Sequence, residues 1–212
     1  MVNSVKESIL LAESETSQLH RDILALRGMS SNKVRHFLNN IVGKTKDARY
    51  LEIGAWKGST LISAMYKNNF TKAVAVDNFS EFGGDWNEFL TNVDKYIFWS
   101  NKGDKLDLIN CSFESVDLGL QKFNIYFYDG RHQEEDQYNA FIIMNKHLDD
   151  EFIAIVDDWN ILNVRNGTRR AFKELNYSIV EEWEMPASRN GDKEQWWNGF
   201  YIAVVRKSKD GK

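Results

Sequence analysis

Proline is nearly absent from this chain of 212 residues, cysteine occurs once, and no apolar run approaches the roughly 20 residues needed to cross a membrane. A lone cysteine, Cys111, cannot close an internal disulfide. It lies in an apolar run and reads as a small core residue rather than a nucleophile. Apart from Pro186 there is no helix-breaking tract, and no low-complexity segment, repeat or linker divides the chain. Positive charge is not in excess. Lys and Arg number 27 against 31 Asp and Glu, for a net charge of −4 and a pI near 5.6. That balance argues against nucleic acid as a partner. Acids and serines interrupt the first eighteen residues, so they lack the apolar core of a signal peptide. A cytoplasmic protein without a membrane partner is expected.

What is present suits a folded globular domain: 42% hydrophobic and 27% charged residues in a length that fits one domain. Residues 1–45 read as a helical N-terminal extension. Val5, Ile9, Ala12, Leu19, Ile23 and Leu26 recur at mostly helical spacing over 3–27. "GMSSN" then breaks the pattern before a second helix, "KVRHFLNNIVGK". Such an amphipathic extension suits packing against a second copy, so a homo-oligomer is an open expectation. His20 and His36 read as surface or interface residues without chemistry, and so does His147 further on.

From residue 49 to 207 the pattern changes. Five short apolar runs, at 49–54, 72–79, 105–112, 123–130 and 151–158, alternate with segments of helical spacing, the third of which ("ESVDLGLQK") is weak. Strands alternating with helices predict a parallel sheet with right-handed crossovers. Burial on both faces explains why the strands are continuously apolar. After a helix at 167–175, two further strands at 176–185 and 199–207 are joined by "PASRNGDKEQWWN", which holds no helix. The last strand is therefore expected to pair antiparallel.

Ligands of open parallel sheets bind at the carboxyl ends of the strands. The five strand tips offer Glu52 with Gly54 and Gly58, then Asp77-Asn78, Ser112-Phe113, Asp129 with His132, and Asp157-Asp158. Acidic groups recur at one sheet edge. The first loop lacks the G-x-G-x-x-G of a dinucleotide site, and Glu52 would repel phosphate but attract an ammonium group. Asp77 lies 23 residues beyond Gly54, at the next strand's end, where a carboxylate can accept hydrogen bonds from both ribose hydroxyls. A nucleoside with a zwitterionic tail and no phosphate is implied, and S-adenosylmethionine fits.

"LEIGAWKGSTL", "AVAVDNF", "INCSFES", "YFYDGRH" and "IAIVDDWN" together resemble the class I S-adenosylmethionine-dependent methyltransferases. Within them the metal-dependent O-methyltransferases are most similar, including catechol-type and macrolide or aminocoumarin sugar enzymes. The resemblance implies a Rossmann-like, doubly wound α/β sheet of seven strands, order 3-2-1-4-5-7-6, with strand 7 antiparallel. It implies that Gly54 and Gly58 shape the methionine-side loop, that Ser59 opens the following helix, that Asp77 holds the ribose, and that Glu52, Asn78 and Asp129 also belong to the cofactor site. Ser112 and Phe113 would lie by the adenine. Asp129, Asp157 and Asp158 would hold Mg2+ or another hard divalent cation, and His132 would serve as general base. Crowded carboxylates repel one another and would otherwise retain protons, and a divalent cation removes that conflict. The expected acceptor is a small hydroxylated molecule, a sugar or phenolic.

Other readings stay open on the sequence alone. Asp129 and Asp157 could cap helices. Asp158 could pair with Arg131 or Arg165, and Glu52 with an N-terminal lysine. His132 could be a plain loop residue, and Trp159, Trp196 and Trp197 could line a pocket or simply pack. The aromatic stretch 79–103 matches no acceptor site. A metal-independent methyltransferase and a non-catalytic cofactor-binding partner protein are the alternative functions.

Overall fold

The computed structural model describes residues 1–97 and 105–208. Helices α1 (Val2–Glu13), α2 (Arg21–Leu24) and α3 (Asn32–Lys44) precede a core. There β1 (Arg49–Ile53), α4 (Ser59–Met65), β2 (Lys72–Asp77), α5 (Trp86–Tyr96) and β3 (Leu106–Asn110) come first. They are followed by β4 (Phe123–Tyr128), α6 (Glu134–Met144), β5 (Leu148–Val156), α7 (Leu162–Glu174), β6 (Ser178–Met185) and β7 (Phe200–Arg206). The seven strands form one sheet, ordered β3-β2-β1-β4-β5-β7-β6. Strands β1 to β5 pair parallel, and β7 runs antiparallel to both β5 and β6. The expected order and the antiparallel last strand are both present.

Two layers of core explain the continuous apolar runs. Tyr50, Ile125, Phe127, Ile153, Ile155 and Ile202 face one side, against α1, α3, α4 and α5. Their chain neighbours Leu51, Tyr126, Tyr128, Ala154, Val156 and Tyr201 face the other, against α6 and α7. The period-two alternation of a strand thus feeds two buried faces. Burying one Phe127-sized side chain is worth about 1.5–3 kcal/mol, so the fully buried central strands contribute much of the scaffold's stability.

Three local expectations are corrected. The helix predicted over 3–27 is two helices, because 14–20 leaves the helical path. Ser14 Oγ turns back onto the Leu10 and Leu11 carbonyls, and His20 caps α2 by accepting the Asp22 N–H. The weak third segment forms only a single 3-10 turn, Phe113–Ser115. Gly119 then adopts a left-handed backbone, φ +56°, which cannot continue a helix. His36 and His147 are buried rather than on the surface; His36 Nδ1 lies 2.7 Å from Ser17 Oγ. Of the aromatic stretch 79–103, Phe98 and Trp99 lie outside the described residues, while Trp86 stacks on Phe89 and Phe79 packs edge-on or tilted against both. Among the described residues no helix is long and apolar enough to cross a membrane.

Candidate active site

The parallel register sets the strand tips side by side. Gly54 N–H donates to the Val76 carbonyl (2.9 Å), Asp129 N–H to Ile53 (2.8 Å) and Asp157 N–H to Tyr128 (3.1 Å). These bonds carry the sheet one residue past each strand and align Gly54, Asp129 and Asp157 on one edge. Gly54 sits at φ +90°, and a Cβ there would come within 1.9 Å of the Asp129 carbonyl oxygen. Only glycine lets β1 turn away this close to β4.

A cavity of about 260 Å3 opens at this edge. Gly54, Asp77, Asn78, Ser112, Phe113, Asp129, His132, Asp157 and Asp158 all line it. Gly58, Ser59 and Glu52 do not. Gly58 supports the loop from behind at φ +85°, against the Phe89 ring, and Ser59 is buried where α4 begins. Glu52 is wholly buried, with its oxygens taken by Tyr50 Oη and Thr60 Oγ1, each at 2.6 Å. The side chain expected at the ammonium group thus points into the protein, away from the cavity lining, and its partners are hydroxyls rather than an N-terminal lysine. Desolvation pushes its pKa up to about 7 against the pull of those two donors.

Asp77 accepts two backbone N–H groups, from Trp56 at 2.7 Å and Phe79 at 2.6 Å. These contacts orient its carboxylate at the cavity wall and leave lone pairs for hydroxyl donors. Cys111 is half-buried: it packs against the core and also lines the cavity.

The acidic cluster forms across β4 and β5. Asp129, His132 and Asp158 each offer a ligand atom within 4.8 Å of the others. His132 Nε2 lies 2.6 Å from Asp158 Oδ2, and Asn198 Nδ2 donates to Asp158 Oδ1 at 2.5 Å. Asp157 stands outside that trio. It is 2% exposed, and its Oδ1 has no hydrogen-bond partner among the described residues. Desolvation, then the neighbouring carboxylates, hold Asp129 well above the usual carboxylate range, and desolvation with Asp158 does the same for Asp157. The hydrogen bond to Asp158 raises His132 above the ordinary imidazole value, against its partial burial. The rival roles fall away. Helix α6 begins behind Gln133 and α7 behind Ile161, so neither Asp129 nor Asp157 caps a helix. Arg131 pairs with Glu81, and Arg165 donates to the carbonyls of Trp159 and Asn160.

Sequence reasoning missed Asn198 and left Trp197 undecided. Trp197 lines the cavity, while Trp196 stacks on Phe200 and Trp159 on Tyr201. Met29, from the N-terminal extension, and Phe82, from the β2–α5 loop, complete the cavity's outer wall. None of these carries a motif, because each arrives on an aperiodic loop.

The oxygen donors suit a hard divalent ion: the Asp129 and Asp158 carboxylates converge beside an Asp157 oxygen that has no partner among the described residues, and the His132 imidazole stands next to them. The glycine-lined approach beside Asp77 suits a nucleoside without phosphate.

No protein-family model matches the chain, and no curated protein matches its sequence. Solved structures do match its fold. An O-methyltransferase from Bacillus cereus, determined with SAH, superposes with TM-score 0.59 at 15% identity, over 96% of this chain and 91% of that one. A candidate O-methyltransferase from Klebsiella pneumoniae gives 0.57 at 15% identity, over 96% and 90%. A candidate RNA methyltransferase from Pyrococcus horikoshii gives 0.59 at 11% identity, over 98% of each chain. The chain thus has the Rossmann-like fold of the class I S-adenosylmethionine-dependent methyltransferases, and its neighbours in structure include O-methyltransferases.

Proposed function

We propose that this protein is an S-adenosylmethionine-dependent methyltransferase that methylates a hydroxyl group of a small molecule with the help of a divalent cation. One observation supports this reading most: a single cavity joins a ribose-type carboxylate, Asp77, to the cluster Asp129, His132 and Asp158. Asp77 and the Gly54 turn would hold the nucleoside, with Ser112 and Phe113 beside the base. Asp129 and Asp158 would hold the cation, Asp157 contributing its unpartnered oxygen. Bound there, the cofactor supplies an electrophilic methyl group and the cation lowers the pKa of the acceptor hydroxyl. His132 would take the hydroxyl proton at Nδ1, because Nε2 faces Asp158. Trp197, Met29 and Phe82 would exclude water and orient the acceptor. The net charge of −4 favours a small molecule over RNA, and the single cysteine favours the cytoplasm. A homo-oligomer, with the N-terminal extension packed against a second copy, belongs to the same reading.

Calorimetric titration with S-adenosylhomocysteine, with and without Mg2+, tests the proposal. Binding of the nucleoside is expected, and no binding under either condition would sink it.

The Asp158–His132 contact favours a second reading, a metal-independent methyltransferase. A base oriented by a buried carboxylate can work without a metal. Turnover that survives a chelator would select it. A cofactor-binding partner protein without catalysis would bind the nucleoside and show no turnover.

A further inference from the structure

The segment 186–199 between β6 and β7 is fastened to the tip of β5. Trp159 N–H donates to the Gly199 carbonyl at 3.0 Å and Asn160 N–H to that of Asn198 at 2.8 Å. The Asn160 side chain clasps Ala187 from both sides, Nδ2 donating to its carbonyl (2.9 Å) and Oδ1 accepting its N–H (3.2 Å). Gly199, at φ +87°, allows the approach: a Cβ there would meet Asn160 Oδ1 at 2.5 Å. With the backbone of Asn198 held, its amide has defined ends. Oδ1 accepts the Gly191 N–H at 2.6 Å, a contact only the oxygen can make. Nδ2 is thereby directed at Asp158 Oδ1, 2.5 Å away. The other oxygen, Oδ2, meets His132 Nε2 at 2.6 Å. Asp158 is 4% exposed, so water has little access to replace either partner.

We propose that Asn198 is a positioning residue: it holds the Asp158 carboxylate so that Oδ2 faces His132 and the Asp129 side of the cavity. Asn198 acts through Asp158 and need not touch the reacting atoms. The consequence for metal binding rests on the function proposed above, whereas the consequence for His132 does not. Residues that orient a ligand from behind are typically worth about 10–100-fold in metal affinity.

The test uses the full metal-free chain as wild type, Asn198→Ala and Ser188→Ala. Ser188 bonds Asp192 within the same segment and does not touch Asp158, so its variant controls for loosening of the loop. Ring 15N and N–H signals of His132 are recorded by NMR, and Mn2+ affinity is measured by calorimetry. The His132 signals are expected to move in Asn198→Ala and to stay in place in Ser188→Ala. Mn2+ binding is expected to weaken about 10–100-fold in Asn198→Ala alone. His132 signals at the wild-type position in Asn198→Ala overturn the inference. Equal movement in Ser188→Ala also overturns it, because loop order alone would then explain the effect. If the wild type binds no Mn2+, the metal reading falls, and the His132 signals still decide the role of Asn198. Should Asn198→Ala unfold, Asn198→Asp is read by the same signals: it keeps the acceptor for Gly191 N–H and loses the donor to Asp158.

Discussion

Glu52 shows how far a residue's surroundings can override its type. An acid beside a glycine turn suggested a ligand contact, yet its carboxylate is wholly buried with a pKa pushed up to about 7. A carboxyl whose folded pKa is raised contributes stability that is fully present below its ordinary value near 4.5 and is lost as pH rises through about 7. Glu52→Gln has no such loss. Its melting temperature relative to wild type should therefore rise between about pH 4.5 and pH 7 and level off above, and a flat difference throughout would contradict the burial argument. Asp77 is the opposite case, a strand-end acid that does reach the cavity. Asp77→Asn keeps the shape but exchanges a charged acceptor for a neutral one, so S-adenosylhomocysteine binding should weaken about tenfold by calorimetry. Both acids occupy similar positions in the sequence pattern. The 2.6 Å donors Tyr50 and Thr60 separate them, and such contacts are not visible in a linear reading.

At the scale of elements, the strands were legible because burial on both faces leaves long apolar runs. The N-terminal break at 14–20 and the 3-10 turn in place of a third crossover helix were not, since local side-chain bonds and one left-handed glycine decided them. Gly54→Ala tests the close approach of β1 to β4. The added methyl faces a backbone oxygen and a positive φ, so urea unfolding should show a loss of at least about 1–3 kcal/mol, together with lost nucleoside binding. Asn160→Ala tests the clasp on Ala187. It should leave the seven-stranded sheet intact while limited proteolysis within 186–199 becomes several-fold faster, because local opening costs less than global unfolding.

For the whole molecule, the crowded carboxylates set the response to pH and to ions. Asp129 and Asp157 are both held above the usual carboxylate range, so the stability they contribute is present in acid and is lost as pH rises through those raised values. A cation that binds only the folded state offsets this loss by mass action. The melting temperature of the metal-free chain should fall as pH rises beyond the ordinary carboxylate range, and the gain on adding Mg2+ or Mn2+ should grow as it does so. A gain independent of pH would point to binding elsewhere. The sequence by itself determined the parallel α/β core, the antiparallel end of the sheet and the set of acids at the strand tips, because hydrophobic periodicity and strand polarity are local properties. Only the tertiary structure decided which tips meet: it turned Glu52 inward, left one Asp157 oxygen without a partner among the described residues, set His132 against Asp158 and brought Asn198 to them from a loop without pattern. Those are matters of side-chain direction and distant backbone pairing, fixed when the sheet closes and not before.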